Sequence, residues 1–227
     1  MILLQITTDP ADTLATGAGQ DSLSVLDLLF KGGYMMVPII LLSLIAIYIF
    51  VERVLTIRKA SEFSADLTQN IRKLVLEGDV KGAKLMASQS DAPVARMLEK
   101  GISRIGSSLK NIEASIENVG KIEINKLEKN LSFLATISGA APMLGFLGTV
   151  LGMIQAFIAI AQEEGSVSPK LLSTGIYEAM ITTAAGLFVG ILAYLGYNYL
   201  VTRVQKIIHD MEYNAVDFID LLQEPNN

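Results

Sequence analysis

Glu178 is the one ionisable residue between Leu171 and Thr202, a stretch otherwise free of Asp, Glu, Lys and Arg. A carboxylate in such surroundings is expensive unless it is paired, hydrated or protonated, and residues of this kind usually face a bundle interior or a water-filled cavity. Thr182 and Thr183 follow it in the same stretch, and Thr149 stands in an earlier uncharged block. Hydroxyls can donate or accept a hydrogen bond next to such an acid in either of its protonation states, so one acid and three hydroxyls could line a polar or water-filled cavity. A Thr hydroxyl can equally bond its own helix backbone, and packing or interfacial solvation remains open for each of the four residues.

Other chemistries find no residues to carry them. The chain has no Cys and a single His, His209, which excludes disulfides, thiolate metal sites, imidazole clusters and His-based triads within one chain. A net charge of -5 and a pI near 5.0 leave no basic footprint for nucleic acid. The glycines at 145–152 sit inside an apolar block and are no nucleotide loop. We therefore expect no enzyme, no cofactor and no metal.

The elements that hold these residues are membrane helices. Of 227 residues, 51% are hydrophobic and 18% charged, and the mean hydropathy is +0.46. Twenty uncharged residues lie between Lys31 and Glu52, and 33 between Lys129 and Glu163. With the block holding Glu178, each reaches the roughly 20 residues a helix needs to cross hydrocarbon. The expected fold is an all-α membrane protein with three spans, at 32–52, 131–162 and 171–202, the second and third extended into a cytoplasmic helical body.

Fourteen of the eighteen Lys and Arg fall between Glu52 and Lys129, and Arg203 and Lys206 follow the third span. Positive residues stay cytoplasmic, which places the N-terminus (1–21) and the 163–170 turn outside and the C-terminal helix (203–227) inside. Residues 22–31 read as an interfacial amphipathic helix ended by Gly32-Gly33. Within the 53–130 region, Asp91-Ala-Pro93 and Ser107-Ser108 read as helix starts, and Ile112, Ile116, Val119, Glu123, Lys126 and Lys129 form a stripe at helical spacing. A helix from Leu109 is expected to run straight into the second span. After the third span, Val204, Ile207, Ile208, Met211, Ala215, Phe218 and Leu222 repeat the same spacing.

Small residues crowd the second span (Ser138, Gly139, Ala140, Ala141, Gly145, Gly148, Thr149, Gly152, Ala156 and Ala159) and one face of the third (Ala179, Thr183, Gly186, Gly190 and Ala193, widened by Thr182 and Ala185). Such faces let helix backbones approach closely in lipid.

The runs Leu144–Phe157 and Gly175–Leu187 resemble the signature segments of the ExbB/TolQ/MotA proton-channel family, and three spans with a first cytoplasmic loop of this size fit its ExbB/TolQ branch. The resemblance implies a pentameric subunit of the bacterial inner membrane, whose second and third spans line a pore around two single-span partners of the ExbD or TolR kind. The proton gradient would then drive work on the outer membrane through a TonB-like system or, alternatively, a Tol-Pal system. It also implies that Thr149, Glu178 and Thr183 line the proton path, with Thr182 departing from the small apolar residue common there, so that either of the two adjacent threonines could face the pore. A stand-alone channel or transporter, or a structural scaffold, is the competing class. One acid near one end of the span is an incomplete path on its own, which favours an obligate partner.

Overall fold

The computed structural model describes residues 32–61, 65–162 and 169–223, and the elements in them are all α-helices. They are α1 (Met36–Ser61), α2 (Ala65–Leu76), α3 (Val80–Ser88), α4 (Pro93–Ile102), α5 (Leu109–Glu128), α6 (Leu131–Gln162) and α7 (Pro169–Gln223). The segments 1–21 and 22–31, with the interfacial helix expected there, and most of the 163–170 turn lie outside the described residues. Three stretches are long and apolar enough to cross a membrane: α1, the run holding α6, and α7.

Gly33 takes a φ of +67°, a left-handed conformation that glycine adopts freely, and the chain turns there before α1 starts at Met36, four residues later than expected. α6 occupies the expected 131–162. α7 is a single helix of 55 residues, roughly 80 Å at 1.5 Å per residue, so its far half extends well beyond any bilayer. That half and the feet of α1 and α5 close around α2, α3 and α4 to make a helical body. Ile71, Ala83, Leu98, Ile102, Ile116, Val204 and Met211 form its core. The expected stripe on the tail supplies one wall, with Val204, Ile207, Met211 and Phe218 buried and Ile208, Ala215 and Leu222 half-buried. Packing at its centre is tight: a Cβ on Gly101 would come within 2.8 Å of Ile116 Cδ1 and 2.9 Å of Phe218 Cε1.

The expected unbroken helix from Leu109 is interrupted. Lys129 leaves helical geometry (φ -51°, ψ 136°) and Asn130 takes φ +65°, so α5 ends and α6 begins afresh. Asn is among the few residues that enter the left-handed region at modest cost. A break strands the last carbonyls of α5. Arg53 on α1 meets that need: its Nη1 donates to the Lys126 carbonyl at 3.0 Å, while its guanidinium also pairs with Glu52. Next to it the Glu123 carboxylate is buried and accepts from Arg96 Nη1 at 2.9 Å and Lys126 Nζ at 2.6 Å. The foot of the membrane half is thus an ionic junction of α1, α4 and α5. On the α5 stripe, Lys126 and Lys129 are exposed, and Leu127 holds the buried place beyond Glu123.

Helices begin at both expected starts, at Pro93 and at Leu109, without a side-chain capping bond at either. α4 starts with Pro93 in its first turn and Ala92 at the cap position, and Ser108 precedes α5 without a capping bond. Asp91 instead bonds Lys59 Nζ at 2.9 Å and Arg96 Nη2 at 3.4 Å. Lys59, and then Arg96, hold its carboxyl below the usual range. Because the pair is solvent-exposed it adds little to stability.

Truncation after Arg203 removes Ile207, Met211, Phe218 and Leu221 from the body, each contributing roughly 1.5–3 kcal/mol through burial. We expect the truncated protein to melt well below the full chain in the same detergent. Equal melting temperatures would show that the tail is not part of the packed body.

Candidate proton-path residues at the α6–α7 seam

Helices α6 and α7 run antiparallel and touch along a seam almost empty of side chains. A Cβ on Gly186 would fall 2.5 Å from the Ala141 carbonyl oxygen and 2.9 Å from Gly145 Cα, and one on Gly145 would fall 2.9 Å from the Thr182 carbonyl oxygen. Toward one end, Gly190 lies against the Pro142 ring, with Pro142 Cγ at 2.5 Å and the Ser138 carbonyl at 3.0 Å from where its Cβ would stand. Ser138 is the residue whose ladder donor Pro142 removes, yet α6 continues through both. Toward the other end, Gly152 meets Ala179 and the Gly175 carbonyl, and Gly175 meets Ala156. The backbones approach because four glycines, Gly145, Gly152, Gly186 and Gly190, leave room, as small residues do in membrane helix pairs.

The threonines divide by position. Thr182 is 1% exposed: its hydroxyl donates to the Ala179 carbonyl of its own helix at 2.8 Å, and it packs against Gly148, where a Cβ would lie 2.6 Å from Thr182 Oγ1. Thr183 is half-buried and reaches across the seam, its Oγ1 donating to the Gly145 carbonyl at 2.9 Å. Thr149, also half-buried, donates to the Phe146 carbonyl at 2.6 Å, one turn along α6 from Gly145.

Glu178 is not in that group. Residues turn by about 100° each along a helix, so Glu178 and Thr183 occupy opposite margins of the α7 seam face. The Glu178 carboxyl lies over the bare backbone of Gly33, at the turn that enters α1; a Cβ there would coincide with it. It is half-buried and, among the described residues, makes no hydrogen bond or ion pair. The seam therefore gathers Thr182, Thr183, Gly145, Gly148, Gly152, Gly186 and Gly190, with Thr149 at its edge, and leaves the acid facing α1. Sequence reading passed over Gly175, although it lies one turn from Ala179 on the same face. It also passed over Gly33 as the neighbour of Glu178, for which no local signal exists. Among the described residues no cluster of His, Cys, Asp or Glu suits a metal ion.

Residues 89–213 match the profile of the MotA/TolQ/ExbB proton channel family. A biopolymer transport protein ExbB homolog of Methanothermobacter thermautotrophicus is 30% identical over 211 residues, covering 90% of this chain and 70% of the relative. The ExbB biopolymer transport protein of Neisseria meningitidis serogroup A is 28% identical over 197 residues (80% of this chain, 87% of the relative). The Tol-Pal system protein TolQ of Haemophilus influenzae is 38% identical over 100 residues (44% of this chain, 43% of the relative). The chain belongs to the MotA/TolQ/ExbB proton channel family, which is a channel family and not an enzyme class, and its three apolar helices make it a multi-pass membrane protein.

A glycine inside the seam and one outside it respond oppositely to an added Cβ. Gly186→Ala must push the Ala141 and Gly145 backbone aside, whereas a Cβ on Gly139 of the same α6 meets nothing within 4 Å. Alanine in a helix interior is otherwise favoured over glycine by roughly 0.5–1 kcal/mol. We expect Gly186→Ala to lower the melting temperature and Gly139→Ala to leave it unchanged or raise it. Equal effects of the two would show that the backbones are not in contact.

Proposed function

We propose that this member of the MotA/TolQ/ExbB proton channel family is the pore-forming subunit of a proton-driven motor in the bacterial inner membrane, with its N-terminus periplasmic and its C-terminus cytoplasmic. The carrying observation is Glu178: an acid inside an apolar helix, half-buried and, among the described residues, without a hydrogen-bond or ion-pair partner for its carboxyl. A carboxylate so placed must be protonated, hydrated or matched by a neighbouring subunit. A carboxyl that can pass between protonated and hydrated or paired states is able to take up and release a proton.

Thr183 and Thr149 supply hydroxyls at the exposed edge of the seam, while the closed packing of Thr182 favours a structural role for it. Within one chain Glu178 and Thr183 sit on opposite margins of α7, so a continuous path needs a second surface. A ring of copies, five by family likeness, around two single-span helices of the ExbD or TolR kind supplies one. The excess of Lys and Arg between Glu52 and Lys129 supports the orientation.

Relatives named as biopolymer transport protein ExbB, matched over most of the chain, favour coupling to a TonB-like energiser of outer-membrane transport. The match to a Tol-Pal system protein TolQ covers less of the chain at higher identity, and it supports a role in a Tol-Pal motor as the second reading.

Glu178→Ala and Thr183→Val should each abolish gradient-dependent uptake by the host cell, while Thr182→Val, which keeps the shape of a buried group bonded to its own helix, should retain most of it. Native mass spectra of the same preparations should show five copies in every case. Normal uptake by the Glu178 and Thr183 variants at normal protein levels would contradict the path, and monomers or dimers alone would contradict the ring.

A further inference from the structure

The groove between α1 and α7 joins two cavities. In the membrane half lies a cleft of about 310 Å³, lined by Ala46, Ile47, Phe50, Leu192, Ala193 and Gly196 among others. It is open to the side, with Ile47 59% and Leu192 54% exposed. One helical turn further on, from Phe50 to Val54 and from Gly196 to Leu200, a second cavity of about 250 Å³ is lined by Arg58, Arg203 and Lys206 as well as by Tyr199. Among the described residues no acid lines it, and these three cations form no ion pair. The Arg203 guanidinium sits over the Tyr199 ring, 5.3 Å from its centre.

We propose that this groove holds an anionic phospholipid of the bilayer, one acyl chain in the apolar cleft and the phosphate among Arg58, Arg203 and Lys206. The depths match. The apolar runs of α1 and α7 end at Val51 and Val201, so the cations begin where hydrocarbon gives way to headgroups. Helix side chains lean toward the N-terminus of their helix, and α1 and α7 run parallel out of the apolar half, so all three cations lean back toward the bilayer. Long basic side chains also extend toward such an interface from below. A second copy of the chain could fill the cleft with apolar side chains, but one lipid molecule matches the apolar cleft and the cationic end at once, with its acyl chain and its phosphate. Basic pockets between membrane helices on the cytoplasmic side bind anionic headgroups in this manner.

The test uses the full chain with the subunits that purify with it, in nanodiscs of mixed phosphatidylglycerol and phosphatidylcholine, followed by detergent extraction and native mass spectrometry of the retained lipid. The parent should keep phosphatidylglycerol in preference to phosphatidylcholine. The combined Arg58→Gln, Arg203→Gln and Lys206→Gln variant should retain on the order of a hundredfold less, each cation contributing several-fold. Ser43→Phe, which fills the apolar cleft without touching the charges, should also lose retention while Ser43→Ala keeps it. Equal retention of the two lipids, or undiminished retention by both the triple variant and Ser43→Phe, would overturn the proposal. So would binding of inorganic phosphate by the lipid-free protein with no preference between lipids, or crosslinking of a single Cys placed at Ile47 to another copy.

Discussion

Contact of two helix backbones with no side chain between them is the constraint on which the membrane half rests. Gly186 against Ala141 and Gly145, and Gly190 against the Ser138 carbonyl, bring α6 and α7 closer than any larger residue would allow. In water such a pair would leave apolar area poorly covered, but in lipid close packing and an interhelical bond such as that from Thr183 to Gly145 are what favour association. The seam then sets where everything else points. It buries Thr182, holds Thr183 and Thr149 at one edge, and turns Glu178 toward Gly33 and α1. Because α7 continues unbroken to Gln223, the same seam also orients the rod around which the helical body is built.

The foot of the membrane half is held by charge. Arg53 and Glu123 are both buried, and each is matched: Arg53 by Glu52 and the Lys126 carbonyl, Glu123 by Arg96 and Lys126. Removing one partner of a buried set leaves the other uncompensated, which is typically strongly destabilising, so the junction fixes α1, α4 and α5 in one arrangement. It also explains how α5 can stop at Lys129–Asn130 without leaving all its final carbonyls bare. The membrane half and the body are therefore joined at a rigid point at one end of the seam, while the opposite end, where Glu178 meets the turn into α1, relies on the bare backbone of Gly33.

Much of this was legible because lipid imposes a simple rule on sequence. Uncharged blocks of span length marked α1, α6 and the first half of α7, and α6 occupies its expected 131–162 because charges stand at or beside both limits. The stripe from Val204 to Leu222 read correctly as a buried wall because apolar residues at three- and four-residue spacing have few alternatives. The break at Lys129–Asn130 was not legible, since Asn is compatible with both a helix interior and a left-handed turn, and the choice depends on Arg53 arriving from α1. Burial of Arg53 and Glu123 was hidden for the same reason: each charge is tolerated only through partners distant in sequence. For the candidate site, residue types, spacing and the family resemblance singled out the acid, the hydroxyls and the glycines as candidates, but the separation of Glu178 from the threonines depends on how α1 docks against α7. Sequence periodicity carries no information about that docking.

The central claim is that this chain holds an incomplete proton path that becomes continuous only with a single-span partner. Proton flux into proteoliposomes under an imposed gradient tests it most directly, with the full chain reconstituted alone and then with the single-span protein that purifies with it. Tight vesicles with the chain alone and gradient-driven flux with the partner are the predicted result. Flux of the same size through the chain alone would contradict the account and make this protein a self-sufficient channel.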